Sequence, residues 1–260
     1  MISRARLQFL RSLRQKKVRA EEGMLLVEGL NAAEAAVEGR FARELLVGAD
    51  AAESPRVRRL CDLCGPRCTI LRIDGRAIDA LAETEAPGGV FALAASPVRP
   101  FAAGEWGGEA LLLVAAGVAD PGNLGTLMRS AAALGAQGVV ATAGTVDPTN
   151  PKVVRASAGA CFRLPVCTGE LEGVRDAGFR LWIGDAGGEP MTGIRARPGR
   201  VAIVVGSEPH GVGARARALA DRTVGIPIRP LAESLNVAVA GALLLHATAS
   251  LPVAATSGRA

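Results

Sequence analysis

At 260 residues, with 49% hydrophobic and 21% charged side chains, the chain has the composition of a folded protein of one large or two small domains, not a disordered one. Its longest apolar run, Val237–Leu245, falls short of the ~18 residues of a membrane span, and the basic N-terminus lacks a signal-peptide core, so a cytoplasmic protein without membrane contact is expected. The net charge of +5 is unevenly spread: Arg4, Arg6, Arg11, Arg14, Lys16, Lys17 and Arg19 all precede the first acidic residue. Such a stripe is either a solvated helix face or the footprint of a nucleic-acid binder. With 3% aromatic residues and no Tyr, RNA contacts must rest on phosphates and backbone shape more than on base stacking.

Apolar periodicity predicts a helix around residues 3–17, a strand at Met24–Val27, a helix from about Asn31 and a strand at Glu44–Val47. A helix through Val57, Leu60 and Leu63, a strand at Thr69–Ile73, a short helix over Ala77–Leu81 and a strand at Gly89–Ala94 follow. Residues 96–108 hold two prolines and three glycines and read as a linker between a domain at 1–95 and a second at 109–260. The second part opens on the fully apolar strand Ala110–Ala115. Further strands are expected at Gly138–Ala141, Phe179–Ile183, Arg200–Val205 and Thr223–Ile226, with a last helix from about Ser234 to Ala249. Continuous apolar strands alternating with helices imply an α/β domain with a parallel sheet covered on both faces, preceded by a smaller α/β domain.

Cys61, Cys64 and Cys68 form a C-x2-C-x3-C cluster, but a structural zinc site wants four ligands and both histidines, His210 and His246, lie far away. Packing thiols are expected there, with no metal.

No G-x-G-x-x-G follows a strand, no Gly-Lys pair exists for a Walker A loop, and no G-x-S-x-G elbow occurs. Three glycine- or proline-marked loops remain, each after an apolar strand, where ligands bind in open α/β sheets. Asp120-Pro121-Gly122-Asn123-Leu124-Gly125 runs into a helix carrying Thr126 and Arg129. Arg129 suits either an ion pair with Asp120 or Glu208, or a phosphate or ribose clamp. The second loop is Gly206-Ser207-Glu208-Pro209-His210-Gly211, a carboxylate flanked by glycines. The third runs from Ile226 through Ser234, Leu235 and Asn236, and either Ser234 or Asn236 is suited to cap the last helix.

The segments DPGNLGTLMRSA, VVGSEPHGVG and IPIRPLAESLNVAVAGALL together resemble the three motifs of the SpoU (TrmH-like) family of SPOUT-class RNA methyltransferases. PKVVRASAGACFRLPV resembles the stretch between the family's first two motifs, and KKVRAEEGMLLVEGLNAAEAA with LAETEAPGGVFALAA resembles its N-terminal, ribosomal-protein-like substrate domain. The resemblance implies a methyltransferase domain threaded as a trefoil knot, an exception to the rule against knots, and pairing of two such domains in a homodimer. It implies S-adenosylmethionine as cofactor, held at Gly206, Ile226 and Leu235, and catalytic residues Asn123, Arg129, Glu208, Ser234 and Asn236.

The implied reaction is methylation of a ribose 2′-hydroxyl in RNA, with ribosomal RNA favoured over transfer RNA. Arg129 is expected to grip a phosphate and lower the hydroxyl's pKa, since a guanidinium is a poor base. Asn123 and Ser234 are expected to orient the ribose, and Glu208 and Asn236 to hold Arg129 and the loops. The alternatives are a catalytically silent RNA-binding protein of the same fold and a nucleotide-dependent oxidoreductase, the latter disfavoured by the absent glycine fingerprint. The last helix, apolar all round, calls for burial on every side, which a second copy of the chain would complete.

Overall fold

The alternation of strand and helix patterns resolves, in a computed structural model that describes residues 2–206 and 212–254, into two sheets and two units. The first unit comprises residues to Val98 together with Asp147–Arg163; the second comprises Arg99–Val146 and the chain from Leu164.

In the first unit α1 (Arg4–Ser12) and α2 (Lys16–Glu22) lead to β1 (Met24–Glu28), α3 (Leu30–Glu38), β2 (Ala42–Gly48), α4 (Ala49–Ala52) and α5 (Pro55–Leu63). Then come β3 (Thr69–Ile73), α6 (Gly75–Leu81) and β4 (Val90–Ala95). Polar caps set the starts: Ser3 accepts from the Arg6 amide at 3.2 Å and Asp74 from the Ala77 amide at 2.9 Å. The sheet order is β1-β4-β2-β3, with β4 antiparallel to both neighbours and β2 parallel to β3. Leu10 and Leu13 pack with Leu46, Ile73, Phe91 and Leu93 to form the core on one face.

The helix expected over 3–17 breaks after Leu13, and the break has a specific partner. The Arg19 guanidinium, 4% exposed, donates to the freed carbonyls of Leu13 at 3.0 Å and Arg14 at 2.7 Å. It also donates to Thr149 Oγ1 at 3.0 Å and to Asp147 Oδ2 at 2.6 Å. Arg6 is bonded to Glu44, and Arg14 donates to the carbonyls of Ala80, Leu81 and Ala82 at the end of α6. The seven basic residues therefore do not act as one solvated or RNA-facing stripe. Arg4, Arg11, Lys16 and Lys17 stay exposed; Arg19 is a buried structural cation.

In the second unit β5 (Val98–Pro100) precedes β6 (Ala110–Ala116), α7 (Pro121–Ala133) and β7 (Gly138–Ala141). The chain then enters the first unit through α8 (Pro151–Ala156) and returns as β8 (Val166–Thr168). It continues through α9 (Leu171–Asp176), β9 (Arg180–Pro190), β10 (Arg200–Gly206), α10 (Gly213–Leu219), β11 (Arg222–Gly225) and α11 (Val237–Ala249). The sheet order is β11-β9-β10-β6-β7-β8-β5, and every pairing from β11 to β8 is parallel. On one face Leu112, Val114, Ile183, Ala202 and Val204 pack with Val174 of α9 and Ala216 of α10. On the other, α11 lies against α7 and β10. A Cβ at Gly241 would come 2.4 Å from Leu127 Cδ2, so any larger residue there would force the buried Leu127 side chain to shift.

Two expectations change. Residues 96–108, read in sequence as a linker, are ordered: they carry β5 and the buried Trp106, whose ring stacks on Phe101 and meets Phe179 edge-on. Arg200 fastens this stretch by donating to the carbonyls of Trp106 at 2.7 Å and Gly107 at 2.8 Å. Asp147–Arg163, placed with the C-terminal domain by sequence, packs with the N-terminal unit. There Val153, Val154, Cys161 and Phe162 are buried. Gly159, at φ 87°, sits so close to α3 that a Cβ would fall 2.6 Å from that of Ala35. Cutting the chain at residue 95 would strip this segment of its core, so the domains do not separate cleanly there.

Burial opposes ionisation of Asp147, but bonds from Arg19 and Thr149 outweigh it and hold its carboxyl below the usual carboxylate range. A depressed folded-state pKa stabilises above the unfolded value, near 4, and that contribution is lost as pH falls through the folded value. Asp147→Asn leaves Arg19 buried without its counter-charge and should cost about 3–5 kcal/mol in denaturant unfolding at neutral pH. Its penalty relative to wild type should shrink below about pH 4, as wild type also loses the charge. A pH-independent penalty would assign Asp147 a purely steric role.

Candidate active site

Because β6, β9, β10 and β11 run parallel, their carboxyl ends share one edge, and the three motif loops leave the sheet there. Gly206 ends β10 in register with Ala116, the last residue of β6. From Ala116 the chain turns through Gly117 at φ 73° to Asp120, which caps α7 by accepting from the Asn123 amide at 2.7 Å. Asp120 is thus a helix cap and not the ion-pair partner of Arg129.

The last helix starts at Val237, not at Ser234. Asn236 is its N-cap, and its Oδ1 accepts from the Ala238 and Val239 amides at 2.9 and 3.3 Å. The same side chain donates through Nδ2 to Asn123 Oδ1 at 2.9 Å. One amide therefore ties the starts of α7 and α11 together. Because Asn123 Oδ1 is the acceptor in this bond, its amide nitrogen faces elsewhere with two N–H donors to offer.

Arg129 lies on the exposed stripe of α7 with Gly122 and Thr126, and among the described residues it has no ion-pair or hydrogen-bond partner. Ser234 is exposed, while Gly206, Ile226 and Leu235 are half-buried. Glu208 and His210 lie outside the described residues. Between Ile226 and Leu235 the backbone makes one hydrogen bond with other described residues, Ala232 N to Arg229 O at 3.2 Å. The remaining peptide groups make no backbone hydrogen bond to other described residues and suit a ligand's polar groups, and half-buried apolar Ile226 and Leu235 suit an adenosine. The donor set fits a nucleoside-bearing cofactor.

A residue missed in sequence is Asp185, in the glycine-rich continuation of β9 at this same edge, where it pairs with Arg217 at 2.6 Å. Its signal was the carboxyl end of a parallel strand. The cysteine cluster lies in the other unit: Cys64 Sγ sits 3.3 Å from Cys68 Sγ, and burial pushes the Cys64 thiol up to about 12. Protonated thiols of this kind behave as packing groups. Among the described residues no cluster of three or more His, Cys, Asp or Glu is arranged to hold a metal ion.

Comparison with known proteins bears on the whole chain. Residues 110–246 match the SpoU rRNA Methylase family and residues 4–92 the MRM3-like substrate binding domain. The chain is similar to the 23S rRNA (guanosine(2553)-2'-O)-methyltransferase RlmP of Bacillus subtilis (strain 168), 34% identical over 247 residues, covering 91% of this chain and 92% of that one. Among solved structures it is similar to the SpoU methyltransferase AviRb from Streptomyces viridochromogenes in complex with AdoMet. That match has TM-score 0.83 and 28% identity over 95% of this chain and 97% of that one. An RNA methyltransferase of the TrmH family from Porphyromonas gingivalis matches with TM-score 0.81 and 27% identity over 95% and 98% of the two chains.

Asn236→Asp separates the two duties of this side chain, since aspartate caps as well as asparagine but cannot donate to Asn123. Thermal unfolding should stay near wild type while the site loses its fixed Asn123 amide and most turnover. Asn236→Ala should lose both, with about 0.5–2 kcal/mol of stability. Full activity in Asn236→Asp would reduce Asn236 to a cap.

Proposed function

The chain belongs to the SpoU rRNA methylase family and is an S-adenosylmethionine-dependent RNA 2′-O-methyltransferase; we propose that its substrate is a ribose in structured ribosomal RNA. The observation that carries this is the Asn236–Asn123 bond, which joins the first and third motif loops beside the exposed Arg129 helix stripe. The ribosomal choice is supported by the substrate-binding module at 4–92 and by the 23S rRNA relative. We take the N-terminal unit to be the RNA-binding, ribosomal-protein-like domain, and the cytoplasm to be where the reaction runs. No described helix is long and apolar enough to cross a membrane. The return of the chain from edge strand β11 to pack α11 on central β10 supports a trefoil-knotted C-terminal segment.

When bound, S-adenosylmethionine supplies an electrophilic methyl group on a sulfonium. Gly206, Ile226 and Leu235 would hold it, through backbone groups and apolar contact. The protein's own part is positioning: the Asn123 amide nitrogen and the Ser234 hydroxyl orient the ribose. Arg129 grips a neighbouring phosphate and lowers the pKa of the 2′-hydroxyl, whose proton passes to a phosphate oxygen or to water. Asn236 acts through Asn123, and Glu208 through Arg129.

The active unit is proposed to be a homodimer. On α11, Ala238 and Gly241 are buried against the same chain and so are not available to a second helix. The opposite face leaves Val239 49% and Leu243 45% exposed, one helical turn apart, and no described helix of the chain covers it. An isologous partner would. Light scattering should report about twice the 26.6 kDa chain mass, and Val239→Glu with Leu243→Glu should give monomers. A wild-type monomer that methylates RNA would rule the dimer out.

Arg129→Ala should lower turnover on ribosomal RNA about 10²-fold or more while calorimetric cofactor affinity stays within a few-fold. Retention of more than about a tenth of the activity would place Arg129 outside the reaction. Label transferred to transfer RNA and not to ribosomal RNA would overturn the substrate assignment.

A further inference from the structure

A concavity of about 360 Å³ opens in the second unit away from the motif loops, lined by Arg180, Trp182, Arg197, Asp221 and Arg222. Arg180 and Arg222 are the first residues of β9 and β11, so this is the amino edge of the sheet. It lies about a strand length, ~20 Å, from the carboxyl edge that carries the active site. The Arg222 guanidinium sits 5.3 Å from the Trp182 ring centroid and pairs with Glu189 at 2.8 Å. Arg180 pairs with Asp221 at 2.8 Å, and Asp221 also accepts from the Leu181 amide at 2.9 Å. Arg197 donates through Nη1 to the carbonyls of Pro198 and Gly199, and its Nε is buried with no partner among the described residues.

Three guanidinium groups thus line one concavity, and among the described residues the one carboxylate in its lining, Asp221, is occupied in holding Arg180. Each guanidinium has five N–H donors, and the ion pairs use only part of that set. The Arg180 and Arg222 side chains are 64% and 40% exposed, so their remaining donors meet solvent. The planar fork of Arg222, held over the Trp182 indole, and the neighbouring guanidinium groups are matched to phosphate oxygens. Nothing in the methyl transfer described above uses these residues.

We propose that this amino-edge concavity binds a phosphodiester group of the RNA substrate, several nucleotides away from the ribose that is methylated. The proposal rests on the RNA methyltransferase reading and adds a second anchoring point to it. A remote phosphate contact strengthens binding and fixes register without reading sequence.

The test compares wild type with Arg180→Gln/Arg222→Gln in filter binding to purified 23S ribosomal RNA across a salt series. The double variant should bind about five- to tenfold more weakly near 0.1 M salt. Its slope of log affinity against log salt should be shallower by about 1–2, the loss of one or two phosphate contacts. S-adenosylmethionine affinity should be unchanged. Arg215→Gln, which removes an exposed cation paired with Glu172, is the control for bulk charge and should leave the slope alone. If the double variant does not fold, each single variant should flatten the slope by about 0.7–0.9. Unchanged slopes in variants of a wild type that binds and methylates RNA overturn this site alone, as does an equal change in Arg215→Gln. A wild type that binds no RNA overturns this site and the substrate assignment together.

Discussion

Five consecutive strand pairings in the second unit are parallel, and that one direction of travel dictates where chemistry is placed. Each strand must be followed by a return crossing, and every crossing starts at the same edge. Gly206, Ile226 and Asn123 are separated by up to about a hundred residues of chain, yet each follows a strand that ends at that edge. The sheet can be parallel because both faces are covered: α9 and α10 on one side, α7 and α11 on the other. The Asn236–Asn123 bond then converts proximity into fixed geometry by joining two helix starts through a single side chain.

The same economy explains why the loop after β11 carries so few internal bonds among the described residues. A loop whose peptide groups were all satisfied by the protein would have nothing to offer a nucleoside. Rigid strands behind it and a capped helix ahead of it allow the 226–236 stretch to stay open for a ligand without unravelling. Leu231, 99% exposed in this loop, and the uncovered Val239 and Leu243 face of α11 lie in the same C-terminal stretch of chain. Cofactor, RNA and a second subunit would accordingly draw on neighbouring parts of one segment.

Much of this was legible in the residues. The strand Thr69–Ile73 and the apolar run that became β6 stand where periodicity puts them, because glycine, proline and polar caps punctuate both sides. Asn236 stands where the sequence offers a cap, and it is the N-cap of the last helix. What sequence could not supply was partnership at long range. Arg19 is indistinguishable from Arg11 or Lys16 in a basic run, but its counter-ion, Asp147, stands 128 residues later. The apolar residues of 151–162 announce burial without saying in which core, and they pack in the first unit. Residues 96–108 show that prolines and glycines mark irregular backbone, not looseness, when a tryptophan in their midst is buried.

RNA ribose chemistry is the proposed output of the carboxyl edge, so the chemical form of the methylated product tests that assignment most directly. Ribosomal RNA lacking its modifications would be incubated with the protein and methyl-labelled S-adenosylmethionine, then hydrolysed in alkali and resolved by mass spectrometry. Methylation at the 2′-oxygen removes the nucleophile that alkali needs, so the label should emerge in alkali-stable dinucleotides and, after enzymatic digestion, in 2′-O-methylribonucleosides. Label recovered in mononucleotides carrying a methylated base, or no label in RNA at all, would contradict the account.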